Sequence, residues 1–103
     1  MEFLVHIAIE LPPEMEPAER ERLRDEEAER AARLAGEGTI KRLWRIPGRL
    51  ANVGLWEATD ATALDRALTS LPLWPWATVE VIALAAHPSD PGRAGSTGEV
   101  EDG

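Results

Sequence analysis

The sequence predicts an α+β fold of the split βαβ, or ferredoxin-like, type: the order βαββαβ, with an antiparallel four-stranded sheet and two helices on one face. Three observations predict it. Phe3, Val5, Ile7, Ile9 and Leu11 share one parity, which is the period of a strand. Residues 17–35 and 61–71 are helix-forming segments with start and stop signals around them. Three further short β-like runs, 39–46, 50–57 and 78–86, fall where this order needs strands.

The first strand, 3–11, ends at Pro12 and Pro13, since neither can donate to a sheet ladder. Glu16-Pro17 opens the first helix. Proline suits the first turn, and Glu16, Glu19 and Glu21 complement the positive helix end. Ala, Glu, Arg and Leu dominate 17–35, and Gly36 and Gly38 end it. Pro47-Gly48-Arg49 then separates two β-like runs, a hairpin signal. Asp60 is a good helix cap for the segment starting at Ala61. Pro72 and Pro75 break the chain before the last strand, Thr78–Ala86.

Residues 1–87 thus read as one domain, and 88–103, rich in Gly, Ser, Pro, Asp and Glu, as a flexible acidic tail. Two helices cover one sheet face only. The other face carries apolar residues as well, which predicts a homo-oligomer.

Composition narrows function. The 103 residues contain no cysteine, which excludes disulfides, thiol nucleophiles and thiolate metal sites. The formal net charge is −8, of which −3 belongs to the tail. Such a surface repels phosphate backbones, so nucleic acid is not an expected partner. The N-terminus lacks a basic region followed by an apolar run, and no apolar stretch approaches the ~20 residues needed to cross a bilayer. A cytoplasmic protein without membrane contact is the expectation. His6 and His87 are too far apart in sequence to make a metal motif, and no phosphate loop or nucleophile elbow is present.

The first helix carries the best chemical signal. Leu23, Glu27, Ala31 and Leu34 fall within about 80° of one another around the helix. Glu27 therefore interrupts the one continuous apolar stripe. A carboxylate there loses water, its pKa rises, and it becomes a usable base near neutral pH. The competing reading is a salt bridge to Arg24, Arg30 or Arg45.

The hairpin carries the second signal. With Gly48-Arg49 as a two-residue turn, Arg45 stands opposite Asn52. A guanidinium can bind a carboxylate through two parallel hydrogen bonds, and a carboxamide can donate to an oxygen gaining charge. The competing reading is a surface pair with no task. The parity of Trp44, Ile46, Ala51, Val53 and Leu55 is the more apolar one and is expected to face the helices. That would turn Arg45 and Asn52 away from Glu27, unless a bulge near the turn or a second subunit brings them back.

His6 can exchange a proton near neutral pH, and Lys41 can attract an anion. Each also reads as an ordinary strand residue. The loop Leu71-Pro72-Leu73-Trp74-Pro75-Trp76 is rigid and apolar, fit for a pocket wall or for packing.

Several segments together carry a resemblance. Leu11-Pro12 with Met15-Glu16-Pro17, then Glu37-Gly38-Thr39, Leu43-Trp44-Arg45-Ile46, Gly48, Ala51-Asn52, Leu71-Pro72-Leu73 and His87-Pro88-Ser89 are similar to the muconolactone delta-isomerase family, over about residues 1–89. The resemblance implies a ferredoxin-like fold, a ring-like homo-oligomer (a decamer) and a cofactor-free step of the β-ketoadipate route of aromatic breakdown. Members of that family convert muconolactone to 3-oxoadipate enol-lactone. The roles this reaction needs fall on Glu27 as base and on Arg45 and Asn52 binding the anionic lactone; His6 and Lys41 remain candidate substrate contacts on residue type and position alone, and no metal is expected. The chain departs from the family pattern at Leu4, where histidine is frequent, and at Arg49-Leu50, where His-Tyr is usual. Those departures keep two alternatives open: an isomerase or dehalogenase for a substituted lactone or natural-product intermediate, and a non-catalytic oligomer that binds small acids.

Overall fold

The computed structural model describes residues 1–92, so the expected tail lies outside the described residues from 93 onward. Strand β1 is Glu2–Ile9, helix α1 Pro17–Gly36, β2 Ile40–Arg45, β3 Ala51–Glu57, α2 Ala61–Thr69 and β4 Ala77–Leu84. A single 3₁₀ turn, Trp74–Trp76, precedes β4 in the segment expected to be a rigid loop. Among the described residues no helix is long and apolar enough to cross a membrane.

The helix ends follow local chemistry. Pro17 occupies the first turn of α1, where its missing N–H costs nothing. The helix ends through Glu37 into Gly38, whose φ of 85° suits glycine. The α2 cap is Asp60, whose Oδ1 accepts from Ala63 N–H at 2.8 Å.

All strand pairs are antiparallel, in the order β2-β3-β1-β4. Residues directly across a ladder share a face. Phe3, Val5 and Ile7 stand opposite Trp56, Gly54 and Asn52 on β3, and opposite Ala83, Val81 and Val79 on β4. Both helices pack on this face, where Phe3, Val5, Ile7, Ile40 and Trp56 join Leu34, Leu64, Leu68 and Leu71 in the core. Burying each of these side chains is worth about 1.5–3 kcal/mol relative to leaving it in water.

This corrects the expected faces of the hairpin. Arg45 does stand opposite Asn52, as the two-residue turn requires. The helix-facing set, however, is Leu43, Arg45, Asn52, Gly54 and Trp56, and the more apolar parity of Trp44, Val53 and Leu55 lies on the other side. No bulge near the turn is involved. The irregularity sits at the start of β2, between Ile40 opposite Trp56 and Arg42 opposite Leu55. Inserting Lys41 there shifts parity once, so Ile40, Leu43 and Arg45 all face the helix side. The crossing of Leu43 over β3 depends on Gly54: a Cβ there would come within 2.6 Å of Leu43 Cδ2 and 2.9 Å of the Trp56 indole nitrogen.

Candidate active site

A cavity of about 460 Å³ opens between α1 and the end of the sheet where β1 and β2 finish and β3 begins. Glu27 and Arg24 line it from the helix, Arg45 and Asn52 from the hairpin, and Leu73 from the proline-rich loop. Ile7, Ile9, Leu43, Trp44 and Leu50 supply apolar wall. Glu27, Arg45 and Asn52, separate on the sequence, thus share one space within a single chain.

Glu27 lies between the buried Leu23 and Leu34 of α1 and is itself half-buried. It enters none of the ion pairs formed by the described residues; Arg30, one expected partner, donates to Ser70 Oγ at 2.9 Å instead. Glu27 Oε1 accepts from the Leu73 backbone N–H at 2.9 Å. That amide is available for a simple reason. Trp74 and Trp76 close the 3₁₀ turn by donating to Leu71 and Leu73, while Leu73 N–H, at the turn's start, has no partner inside it. Glu27 supplies the acceptor. Loss of water around the carboxylate raises its pKa above the ordinary glutamate value, and the Leu73 hydrogen bond offsets part of that rise.

Asn52 faces the helix side beside Ile7. Its Oδ1 is sealed from solvent with no hydrogen-bond partner. Arg45 is exposed at the last position of the edge strand.

His6 and Lys41 are elsewhere. His6 alternates with Val5 and Ile7, so it lies on the opposite sheet face, across from Glu80. There it lines a separate cavity of about 680 Å³ with Arg49 and Thr78. The Lys41 ammonium sits 3.8 Å from Glu2 and 3.7 Å from Glu57, at the far end of β2 from the Glu27 cavity. Of the four tryptophans only Trp44 lines the site, and Trp56 is the core. Of Leu4, Arg49 and Leu50, only Leu50 reaches it. Among the described residues no group of His, Asp or Glu could hold a metal ion.

The sequence reading missed two lining groups. The Leu73 amide carried a faint signal, since Pro72 and Pro75 remove donors around it. Arg24 carried a clearer one: it precedes Glu27 by three, and residues at that spacing are neighbours on a helix.

The arrangement offers a partly desolvated carboxylate, guanidinium cations and a carboxamide, groups that could move a proton on a small organic anion. Known proteins similar to this chain are named as isomerases. The family model for muconolactone delta-isomerase matches residues 1–90. A muconolactone delta-isomerase of Pseudomonas aeruginosa is 44% identical over 89 residues, covering 86% of this chain and 93% of the relative. One from Pseudomonas putida is 40% identical over the same shares. A crystal structure of muconolactone isomerase superposes with a TM-score of 0.82 at 41% identity, covering 88% of this chain and 95% of the other. The chain belongs to the muconolactone delta-isomerase family.

Proposed function

We propose that this chain isomerises muconolactone to 3-oxoadipate enol-lactone, a proton shift within an unsaturated lactone that serves the β-ketoadipate route of aromatic breakdown. The observation that carries the reading is the meeting of Glu27, Arg45 and Asn52 in one cavity of a chain from this family.

The substrate is a lactone with an acetate arm. Glu27 removes the ring proton next to the arm, and the electron pair moves through the double bond to the lactone carbonyl oxygen. The protonated Glu27 then returns the proton two carbons away, so no atom is gained or lost. Arg45 holds the carboxylate of the arm. Asn52 Nδ2 donates to the oxygen that carries the dienolate charge. A base with a raised pKa is better matched to a weak carbon acid than an ordinary glutamate. His6 and Lys41 have no part in this cavity's chemistry. Residues 1–87 form the catalytic domain in this reading.

The reading extends to assembly. Leu43, Trp44, Val81, Ile82 and Leu84 are exposed, Ile82 at 57%. A monomer rarely leaves so much apolar edge and face in water, and further copies of the chain would cover it.

One observation favours a second reading. Leu50 lines the cavity at a position where the sequence departs from the family pattern, so the pocket would take a substituted lactone. Incubating the protein with muconolactone and with ring-substituted lactones, and following products by NMR, tests both. Turnover of muconolactone supports the first reading. Turnover of substituted lactones alone supports the second, and no turnover of either defeats both.

A further inference from the structure

We infer that Arg24 is a second anchor for the substrate carboxylate, holding it from the helix wall while Arg45 holds it from the sheet. The inference rests on the lactone reading and adds a residue to it. Arg24 lies one turn before Glu27 and lines the same cavity.

Three other guanidiniums of α1 and β2 are engaged. Arg20 donates to the carbonyls of Pro12 and Met15, Arg22 pairs with Glu19 and Glu26, and Arg42 lies over the Trp44 ring. Among the described residues neither Arg24 nor Arg45 pairs with a carboxylate. The one acid in the cavity, Glu27, is held by the Leu73 amide.

Charge balance gives Arg24 its task. With Arg45 alone, an ionised Glu27 and the substrate carboxylate would share one cation, and their repulsion would oppose binding. With Arg24 the filled cavity carries two positive and two negative charges. It stays neutral as the proton moves, because the charge Glu27 loses reappears on the dienolate.

The test uses the full chain and its Arg24→Ala and Arg24→Lys variants. KM for muconolactone should rise about tenfold to a hundredfold in Arg24→Ala, with kcat within about twofold and partial recovery in Arg24→Lys. Calorimetry with a saturated lactone-acetate, which cannot form the dienolate, should show the same loss of affinity. Its methyl ester should bind the wild type and Arg24→Ala alike. Equal affinity of both proteins for the saturated acid overturns the role of Arg24 and leaves the proposed function standing. Loss of affinity for the ester as well overturns it too, since that marks a general packing defect. Failure of the wild type to bind the saturated acid defeats the lactone reading itself.

Discussion

Glu27 Oε1 and the Leu73 backbone N–H meet at 2.9 Å across 46 residues of chain, tying the middle of α1 to the proline-rich loop. The contact fixes the carboxylate at the cavity wall without neutralising it. An arginine in that place would have held the pKa down. A neutral amide leaves the burial effect dominant, so the group stays a stronger base than an exposed glutamate.

That balance has a stability consequence. The folded-state pKa of Glu27 is raised, so the folded chain binds this proton more tightly than the unfolded chain does. Its contribution is therefore favourable at low pH and is lost as pH rises from the ordinary value of 4.5 through the raised folded value. Glu27→Gln removes the charge and keeps an acceptor for Leu73 N–H. At pH 7 this variant should match or exceed the wild type in urea unfolding, and the difference should shrink below pH 4.5. A variant markedly less stable at pH 7 would contradict the assignment of burial as the main cause of the shift.

Asn52→Ala separates chemistry from stability. The buried Oδ1 has no partner, so deleting it removes an unsatisfied acceptor and should cost under about 1 kcal/mol. Loss of the Nδ2 donor should lower kcat by about 10²- to 10³-fold with little change in KM. Steady-state kinetics beside a urea titration read both.

Arg45→Ala should do the reverse. An anchor for the arm acts on ground and transition states alike, so KM rises by about tenfold or more while kcat changes little. An unchanged KM would remove Arg45 from the site.

Gly54→Ala probes the hairpin register. The added methyl would meet Leu43 Cδ2 at 2.6 Å, Trp56 Nε1 at 2.9 Å and the Arg42 carbonyl at 3.0 Å. The carbonyl belongs to the paired strand and cannot turn aside as a side chain can. The variant should lose about 1–3 kcal/mol in denaturant unfolding. Wild-type stability would mean that Leu43 does not cross β3 as described.

The order of elements was legible because punctuation and periodicity agreed. Pro17 opened α1 and Asp60 capped α2 where the sequence placed them, while β1 ended at Ile9, short of the expected end at Leu11. The stripe of Leu23, Glu27, Ala31 and Leu34 also held, since Leu23 and Leu34 are the buried residues of α1. The hairpin faces were not legible. Apolar content assigns a face only where one side of a strand is covered, and Leu43 and Trp44, on opposite sides of β2, are both exposed. The parity shift at Lys41 is likewise a tertiary matter: it lets Ile40 meet Trp56 in the core while Arg45 still meets Asn52. The Leu73 amide could not be placed from sequence, because its partner is set by how the loop folds back on α1.

The most direct measurement is proton NMR of muconolactone in deuterated water with the wild type and Glu27→Gln. The wild type should form the enol-lactone, and any deuterium taken up should sit on the carbon two positions from the one deprotonated. Glu27→Gln, folded and of wild-type stability, should slow both conversion and exchange by on the order of 10² to 10⁴. Conversion by Glu27→Gln at a rate near that of the wild type would contradict the central claim that Glu27 carries the proton.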